Sequence, residues 1–371
     1  MNNDMLGIVY AGNRELSFNE LTQMRSVSAL PFAGRYRVID FILSNMVNSG
    51  IINVGVAPKI NYFSLMDHLG SGGPWDLNRT KSGLFILPPY IRGDIGKPSG
   101  TIDLIYGVLT FLRRSRQKYV LLSEGNTICN ITFYDALKFH IEKNADITII
   151  YSDNKTTDNL ENCNLYTLDE NKRITEAFCS PRYPKSTLAG MEMFIVERLK
   201  LIGMIEEAYS RGNHDFICDI ILSNLNRLNI YGYEHKGFVA RINSVESYFE
   251  ANMKMLDNSV RREIFGGENP IFTKVKNQVP TKYGRKANAI SSLIADGCNI
   301  NGTVENSIIS RGVYIGAGSH IKNSIIMQNS VIEENCDLEN VIIDKECTLR
   351  RNKRLVGQPG LSVILPKRTL I

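Results

Sequence analysis

The sequence lacks the features that mark secreted, metal-binding and nucleic-acid-binding proteins. Its seven cysteines are odd in number, widely spaced and without a Cys-x-x-Cys pair, which argues against a disulfide framework and a zinc site. Lysine and arginine are scattered and leave a net charge of only +5, so we expect no nucleic-acid partner. No apolar stretch approaches membrane-spanning length, and the first residues, MNND, do not resemble a signal peptide. These absences predict a cytoplasmic protein that binds neither membranes nor nucleic acid.

The first two thirds of the chain alternate strand-like and helix-like segments. Residues 6–10, 51–57, 119–123 and 145–151 are short apolar runs typical of buried strands. Between them, residues 37–49 carry apolar side chains at helical spacing and end at Gly50, a good C-terminal cap. Such β-α alternation predicts a mixed, mostly parallel sheet covered by helices on both faces.

The C-terminal part repeats itself every 17 residues. The sequences NSII, NSII and NVII begin at residues 306, 323 and 340. The same step aligns Val304, Ile321 and Leu338, and it also aligns the set Cys298, Ile315, Ile332 and Leu349. Apolar positions six, six and five residues apart within each turn are typical of a left-handed parallel β-helix built from hexapeptide repeats.

These patterns predict two domains, as expected for 371 residues. We place an α/β domain at residues 1–257, a linker at 258–285 and the β-helix at 286–371.

Several motifs give the chain a resemblance to a known family. They are PFAGRYRVIDF at residues 31–41, LSN at 43–45, GTID at 100–103, DFICDII at 215–221, ESYFEAN at 246–252 and GTVENS at 302–307. Together they resemble the ADP-glucose pyrophosphorylases (glucose-1-phosphate adenylyltransferases), and the resemblance covers nearly the whole chain. The resemblance implies that the α/β domain is nucleotidyltransferase-like (Rossmann-like) and that it precedes the β-helix. It also implies the reaction of ATP with glucose 1-phosphate to give ADP-glucose and pyrophosphate. That chemistry needs Mg²⁺ and fixed cations around the phosphates.

The family's reactive positions are altered in this chain. By the resemblance, Val27 replaces a phosphate-binding lysine and Ser180 replaces the lysine that grips the sugar phosphate. Asn126 and Arg241 stand where the two carboxylates that hold Mg²⁺ are expected. An amide supplies no negative charge, and a guanidinium repels the cation. We therefore expect no intact catalytic residue and no metal in this chain, with Mg²⁺ confined to a catalytic partner.

The resemblance also marks residues that retain a role in binding or have changed it. Residual substrate contacts are expected at Gly12, Arg14, Arg25, Tyr90, Gly100, Thr101, Asp103 and Asp219. Effector contacts, for a sugar phosphate or a nucleotide, are expected at Arg25, Arg37, Lys367 and Arg368. Glu192 stands near the sugar where a glycine is usual. Each has a structural alternative, because a retained carboxylate also caps helices and a surface arginine also forms salt bridges.

The resulting hypothesis is a GlgD-type subunit, catalytically deficient alone, that modulates a catalytic ADP-glucose pyrophosphorylase subunit in glycogen synthesis, in a hetero-oligomer expected to be a heterotetramer. An alternative is an active enzyme whose metal ligands have moved, with Glu124 and Asp219 as candidates. A second alternative is an effector-binding or scaffold protein that binds no sugar nucleotide. A third, an acyltransferase using His320 of the β-helix, rests on one histidine.

Overall fold

The computed structural model describes residues 4–11, 15–88, 100–154, 160, 162–358 and 360–371. The strands in chain order are β1 Met5–Ala11, β2 Pro31–Phe32, β3 Tyr36–Arg37, β4 Asn53–Pro58, β5 Gly83–Ile86, β6 Tyr119–Glu124, β7 Thr127–Ile128, β8 Ile147–Asp153, β9 Leu165–Leu168, β10 Ile174–Phe178, β11 Leu188–Glu197, β12 Ile230–Glu234, β13 Ala240–Arg241, β14 Lys282–Tyr283, β15 Asn288–Ile290, β16 Leu293–Ile294, β17 Asn299–Ile300, β18 Thr303–Glu305, β19 Ile308–Ile309, β20 Tyr314–Ile315, β21 His320–Lys322, β22 Ile325–Ile326, β23 Val331–Ile332, β24 Asp337–Glu339, β25 Val341–Ile343, β26 Thr348–Leu349, β27 Arg354–Val356 and β28 Val363–Leu365.

Among the described residues, the helices are fewer than the strands. They are α1 Val38–Asn48, α2 Phe63–Leu69, α3 Thr101–Gly107, α4 Leu109–Arg114, α5 Tyr134–Glu142, α6 Arg198–Ser210, α7 Val245–Lys254 and α8 Asn258–Phe265. Short 3₁₀ turns lie at Glu15–Thr22, Val27–Ala29, Gly73–Trp75 and Leu222–Asn224, and a π-helical segment at Phe216–Ile221. Among the described residues, none of these helices is both long and apolar enough to cross a membrane.

The chain forms two compact units that are not continuous in sequence. The first contains residues 1–13, 39–239 and 268–272, and the second contains residues 14–38, 240–267 and 273–371. This division differs from the predicted boundaries at residues 257 and 285, because 14–38 and α7–α8 group with the β-helix. The predicted linker is also partly ordered structure, since it holds α8 and the first β-helix strand.

The first unit is built on a nine-stranded mixed sheet. Its strands β6, β1, β4 and β5 are neighbours in that order and run parallel, while β11 lies antiparallel to β6 and β8. Every residue of β1 is buried, which explains its continuous apolar sequence. The core beneath the sheet includes Leu6, Ile105, Leu122, Ile149 and Phe194. The predicted α/β architecture is confirmed.

The β-helix consists of three parallel five-stranded sheets. Val304, Ile321 and Leu338 stack in register, as predicted from the 17-residue step. One predicted column is wrong at its first member: Ile300, not Cys298, lies beside Ile315. The cause is the turn from β17 to β18, which is two residues shorter than the turn from β20 to β21, so that strand partners there lie 15 residues apart, for instance Leu293 and Ile308.

Asparagine fills the tight corners of the β-helix. Asn306, Asn323 and Asn340 have φ angles of 43°, 45° and 54°, in the left-handed region that asparagine tolerates better than most residues. The Asn306 amide donates a 2.6 Å hydrogen bond to the amide oxygen of Asn323. The recurring asparagine therefore sets the corner of each coil, and the isoleucines after it fill the interior.

One cysteine pair escaped the sequence analysis. Cys179, just after β10, and Cys218, in the π-helical segment, are joined by a disulfide across 39 residues. Spacing alone gave no signal for this pair. Cys129, Cys163, Cys298, Cys336 and Cys347 are buried thiols, as expected for cysteines that pack as small apolar residues.

Candidate functional site

Three of the predicted site residues, Gly12, Arg14 and Tyr90, lie outside the described residues. Val27 lies in the second unit within a short 3₁₀ turn and is only 4% exposed. A valine there packs as a core residue and offers no charge to a phosphate.

Asn126 follows β6 of the first unit. The strand ends at Glu124, and the Gly125 N–H donates to the carbonyl of Tyr10 on β1. The Asn126 side chain is buried, and its amide oxygen accepts a hydrogen bond from the Thr127 hydroxyl. Glu124 is the last residue of the strand and is also buried. The position that the family uses for a metal carboxylate is therefore a neutral amide in a buried turn.

Ser180 and Arg241 have lost the chemistry expected at their positions. Ser180 is exposed just after β10 and has a φ of 44°. Arg241 lies on β13 in the second unit and is partly exposed. Neither side chain carries a negative charge, and the Ser180 hydroxyl cannot replace a lysine as a counter-ion for phosphate.

The predicted binding residues Gly100, Thr101, Asp103 and Asp219 lie close together at helix starts. The Gly100 N–H donates to the Asp103 carboxylate at 3.0 Å, and this carboxylate lies 3.3 Å from His214 Nδ1. The backbone N–H groups of His214 and Asp215 both donate to the Asp219 carboxylate at 2.9 Å. Both carboxylates thus accept hydrogen bonds from backbone N–H groups near helix starts, and a ligand that bound them would have to share or replace these bonds.

Gly100 is required by close packing. A Cβ at this position would lie 2.1 Å from the carbonyl oxygen of His214. Close packing of the start of α3 against residues 214–219 therefore accounts for the GTID motif, whether or not a ligand binds there.

Glu192 sits at a bulge of β11. Its φ is 54°, and the register of β11 against β8 shifts between Gly190 and Met193. The left-handed backbone explains why a glycine is usual there. Here the carboxylate is buried and accepts a 2.7 Å hydrogen bond from the Asn164 amide.

Arg25 forms a buried ion pair within the second unit. Its two terminal nitrogens donate to the two carboxylate oxygens of Asp344, each at 2.8 Å. The two side chains are 3% and 1% exposed. Such bidentate geometry fixes the Arg25 guanidinium and joins two segments 319 residues apart.

Several cations lie close to this pair. Lys345 follows Asp344, and burial together with the positive charges of Arg37, Arg25 and Lys276 lowers the pKa of Lys345 to about 6, against the opposing effect of Asp344. Arg37 is 9% exposed, whereas Lys276 is exposed. We call Arg25, Arg37, Lys276, Asp344 and Lys345 the basic cluster. The positive potential of such a cluster favours an anion beside it.

The other two predicted effector residues share an acidic neighbour. Lys367 and Arg368 both contact Glu346, at 3.7 Å and 2.7 Å. These contacts hold the pKa of Glu346 below its ordinary value, chiefly through the Arg368 hydrogen bond. Glu346 is thus a local counter-ion for Lys367 and Arg368.

Asp344 and Lys345 were missed by the sequence analysis. The 17-residue step places Asp344 in one column with Ser310 and Met327. The available signal was the carboxylate itself, because the other two members of this buried column are a serine and a methionine.

The second unit also contains a cavity of about 440 Å³. Its walls include Arg35, Arg262 and the stacked rings of Tyr36 and Phe265, whose centroids are 4.9 Å apart. Arg261, also in the wall, donates to the carbonyls of Met255 and Leu256 and is occupied in capping α7.

Comparison with known proteins agrees with this architecture. Residues 7–258 match the nucleotidyl transferase family, and residues 276–358 match the GlmU-like C-terminal hexapeptide family. The chain is 35% identical to the glycogen biosynthesis protein GlgD of Bacillus subtilis (strain 168), over 99% of this chain and 96% of that protein. The chain belongs to this nucleotidyl transferase family.

Other relatives in the family carry two different names. The GlgD protein of Geobacillus stearothermophilus is 39% identical over 86% of this chain and 83% of its own length. A glucose-1-phosphate adenylyltransferase of Acetivibrio thermocellus is 31% identical over 95% of this chain and 83% of its own length. The predicted family and the GlgD-type assignment within glycogen biosynthesis are confirmed by these matches.

The residues of this family member do not fit a Mg²⁺ site at the expected positions. Asn126 offers a neutral amide, and Arg241 offers a cation. Among the described residues, no group of three or more histidine, cysteine or acidic side chains is arranged to hold a metal.

Proposed function

We propose that this chain is a catalytically deficient GlgD-type subunit that modulates an active glucose-1-phosphate adenylyltransferase in the cytoplasm. The observation that carries the proposal is the charge at the reactive positions. Asn126 and Arg241 replace two anions, and Val27 and Ser180 replace two cations. Because one oxyanion-type contact contributes roughly 3–4 kcal/mol to a transition state, these losses together leave little nucleotidyl transfer.

The modulating role is supported by the basic cluster. Arg25 is fixed by Asp344, and burial together with the positive charges of Arg37 and Arg25 lowers the pKa of Lys345, so an anion bound there would favour its protonated form. We assign a sugar phosphate or a nucleotide to this place as effector. The partner is the active subunit, in a hetero-oligomer that we propose to be a heterotetramer.

The test is pyrophosphate release from ATP and glucose 1-phosphate in the presence of Mg²⁺. We expect the purified chain to be at least about 10³-fold slower than an active adenylyltransferase chain of the same organism. The Glu124→Gln and Asp219→Asn variants test the alternative of relocated metal ligands. Robust turnover by the lone chain that either variant abolishes would establish that alternative and refute the proposal.

A further inference from the structure

A basic segment leads into the first coil of the β-helix. Residues 273–288, with the sequence TKVKNQVPTKYGRKAN, contain five cations and no acidic residue. Lys282, Arg285 and Lys286 are exposed there. Elsewhere on the β-helix several charges pair across coils, as Lys322 does with Glu339 at 2.8 Å. We call residues 273–290 the first-coil surface.

Two strands of this surface have an open edge. β14 pairs only with β17, and β15 only with β18, among the described residues. The N–H groups of Lys282 and Gly284 donate to β17, so alternation turns the peptide groups of Tyr283 outward. Asn288 donates to Gly302 in the same way, and this turns the peptide groups of Ala289 outward. An outward N–H and C=O on a strand edge form a template for another strand.

Apolar side chains stand between the cations of the first-coil surface. Val275 is 76% exposed, Val279 69%, Tyr283 52% and Ile290 46%. Exposed apolar residues grouped beside an open strand edge favour aggregation unless another chain covers them. Tyr283 is suited to act as an anchor, since tyrosine is enriched among residues that dominate protein interfaces.

We propose that the first-coil surface docks an acidic, extended segment of the active partner subunit by strand addition. The partner's backbone forms hydrogen bonds with the outward peptide groups of Tyr283 and Ala289. Its acidic side chains face Lys282 and Arg285, and its apolar side chains cover the Tyr283 ring. The identity of the partner rests on the proposed function, whereas the chemistry of the surface does not.

The same chemistry argues against other occupants. A second copy of this chain would bring five more cations to the surface, and like charges across an interface oppose association. A nucleic acid supplies phosphate acceptors for the cations but offers an outward strand carbonyl no regular ladder of donors. A polypeptide strand supplies both donors and acceptors, so the edge is best matched by a peptide.

The experiment titrates the full chain with the active adenylyltransferase chain of the same organism, by calorimetry at low and high salt. The variants are the charge reversal K282E with R285E, and the pair Y283A and Y283P. Because the Tyr283 N–H points away from β17, proline removes an outward donor without breaking the ladder, and alanine removes only the ring. The matched control is R351E with K353E, a charge reversal at exposed positions of the last coil. Circular dichroism checks that each variant is folded.

We expect the first-coil reversal to weaken the complex at least about tenfold and to flatten its salt dependence, while the last-coil reversal leaves affinity within about twofold. Y283P should bind more weakly than Y283A. Equal losses from both reversals, or no loss from the first, would overturn the docking surface while leaving the proposed function intact. Absence of any complex for the wild-type chain would instead refute the proposed function. If the lone chain dimerises, and the K282E with R285E reversal alters that dimerisation, the surface binds a second copy of this chain.

Discussion

Lys345 shows how one ammonium group in the basic cluster links the fold to pH. Its pKa is about 6 in the folded chain, and its ordinary value is 10.5. Burial is the first cause, followed by the neighbouring charges of Arg37 and Arg25, and Asp344 opposes them only in part. Near neutral pH the folded chain therefore holds Lys345 mostly uncharged, although the unfolded chain holds it charged.

This difference has a definite sign. Between about pH 6 and pH 10.5 the unfolded chain binds one more proton at Lys345 than the folded chain, so this residue makes stability rise with pH across that window. Below about pH 6 both states are protonated, and the contribution no longer changes. An anion that binds beside Lys345 favours the charged form, and its binding at pH 7 is accompanied by proton uptake.

We expect Lys345→Met to stabilise the protein at pH 7 by on the order of 1 kcal/mol. The variant keeps the apolar part of the side chain and removes the group that must lose a proton on folding. The advantage should shrink as pH rises towards 10.5. Thermal unfolding followed from pH 6 to pH 10 measures it, with Lys353→Met, at an exposed position, as the control. A gain that is the same at every pH would contradict the assignment to proton linkage.

At the scale of elements, the β-helix was the part best predicted from the sequence. Its columns repeat because each coil must bury the same interior positions, and the step is visible wherever the coils are equal in length. It fails at Cys298 and Ile300, because the turn from β17 to β18 is two residues shorter than the equivalent turns of the other coils. It also fails at the last coil, where Ile364 pairs with Ile342 across 22 residues.

The corner asparagines offer a test of this element. At Asn323, with a φ of 45°, we expect glycine to be tolerated and valine to cost about 2 kcal/mol more than glycine, because a β-branched side chain is strained in the left-handed region. At the neighbouring strand residue Lys322 the order should reverse, since a strand favours valine over glycine. Chemical denaturation of the four variants compares them. The same order at both positions would show that the corner conformation does not decide the choice of residue.

At the scale of the whole molecule, the sequence shows changes of charge at single positions, but it does not show which distant residues the fold brings together. Missing charge is read from one position at a time, as at Asn126 and Arg241. The basic cluster depends on Arg25 meeting Asp344 across 319 residues, and only the fold brings those segments together. The resemblance predicts effector contacts at Lys367 and Arg368, and the fold places Glu346 beside both.

We propose that modulation by this chain appears as a changed response of an active partner, because Asn126 and Arg241 offer no anion at the positions where the resemblance places the metal carboxylates. We expect addition of the chain to shift the concentration of a sugar phosphate or a nucleotide that half-activates or half-inhibits the partner, by about fivefold or more, which is typical of allosteric coupling. Arg37→Met should abolish the shift without dissociating the complex, since Arg37 lies in the basic cluster and not on the first-coil surface. Lys353→Met is the matched control, and size-exclusion chromatography verifies that each mixture stays assembled. A shift that survives Arg37→Met in an intact complex would move the effector site away from the basic cluster, whereas a shift lost only when the complex dissociates would assign the effect to assembly alone.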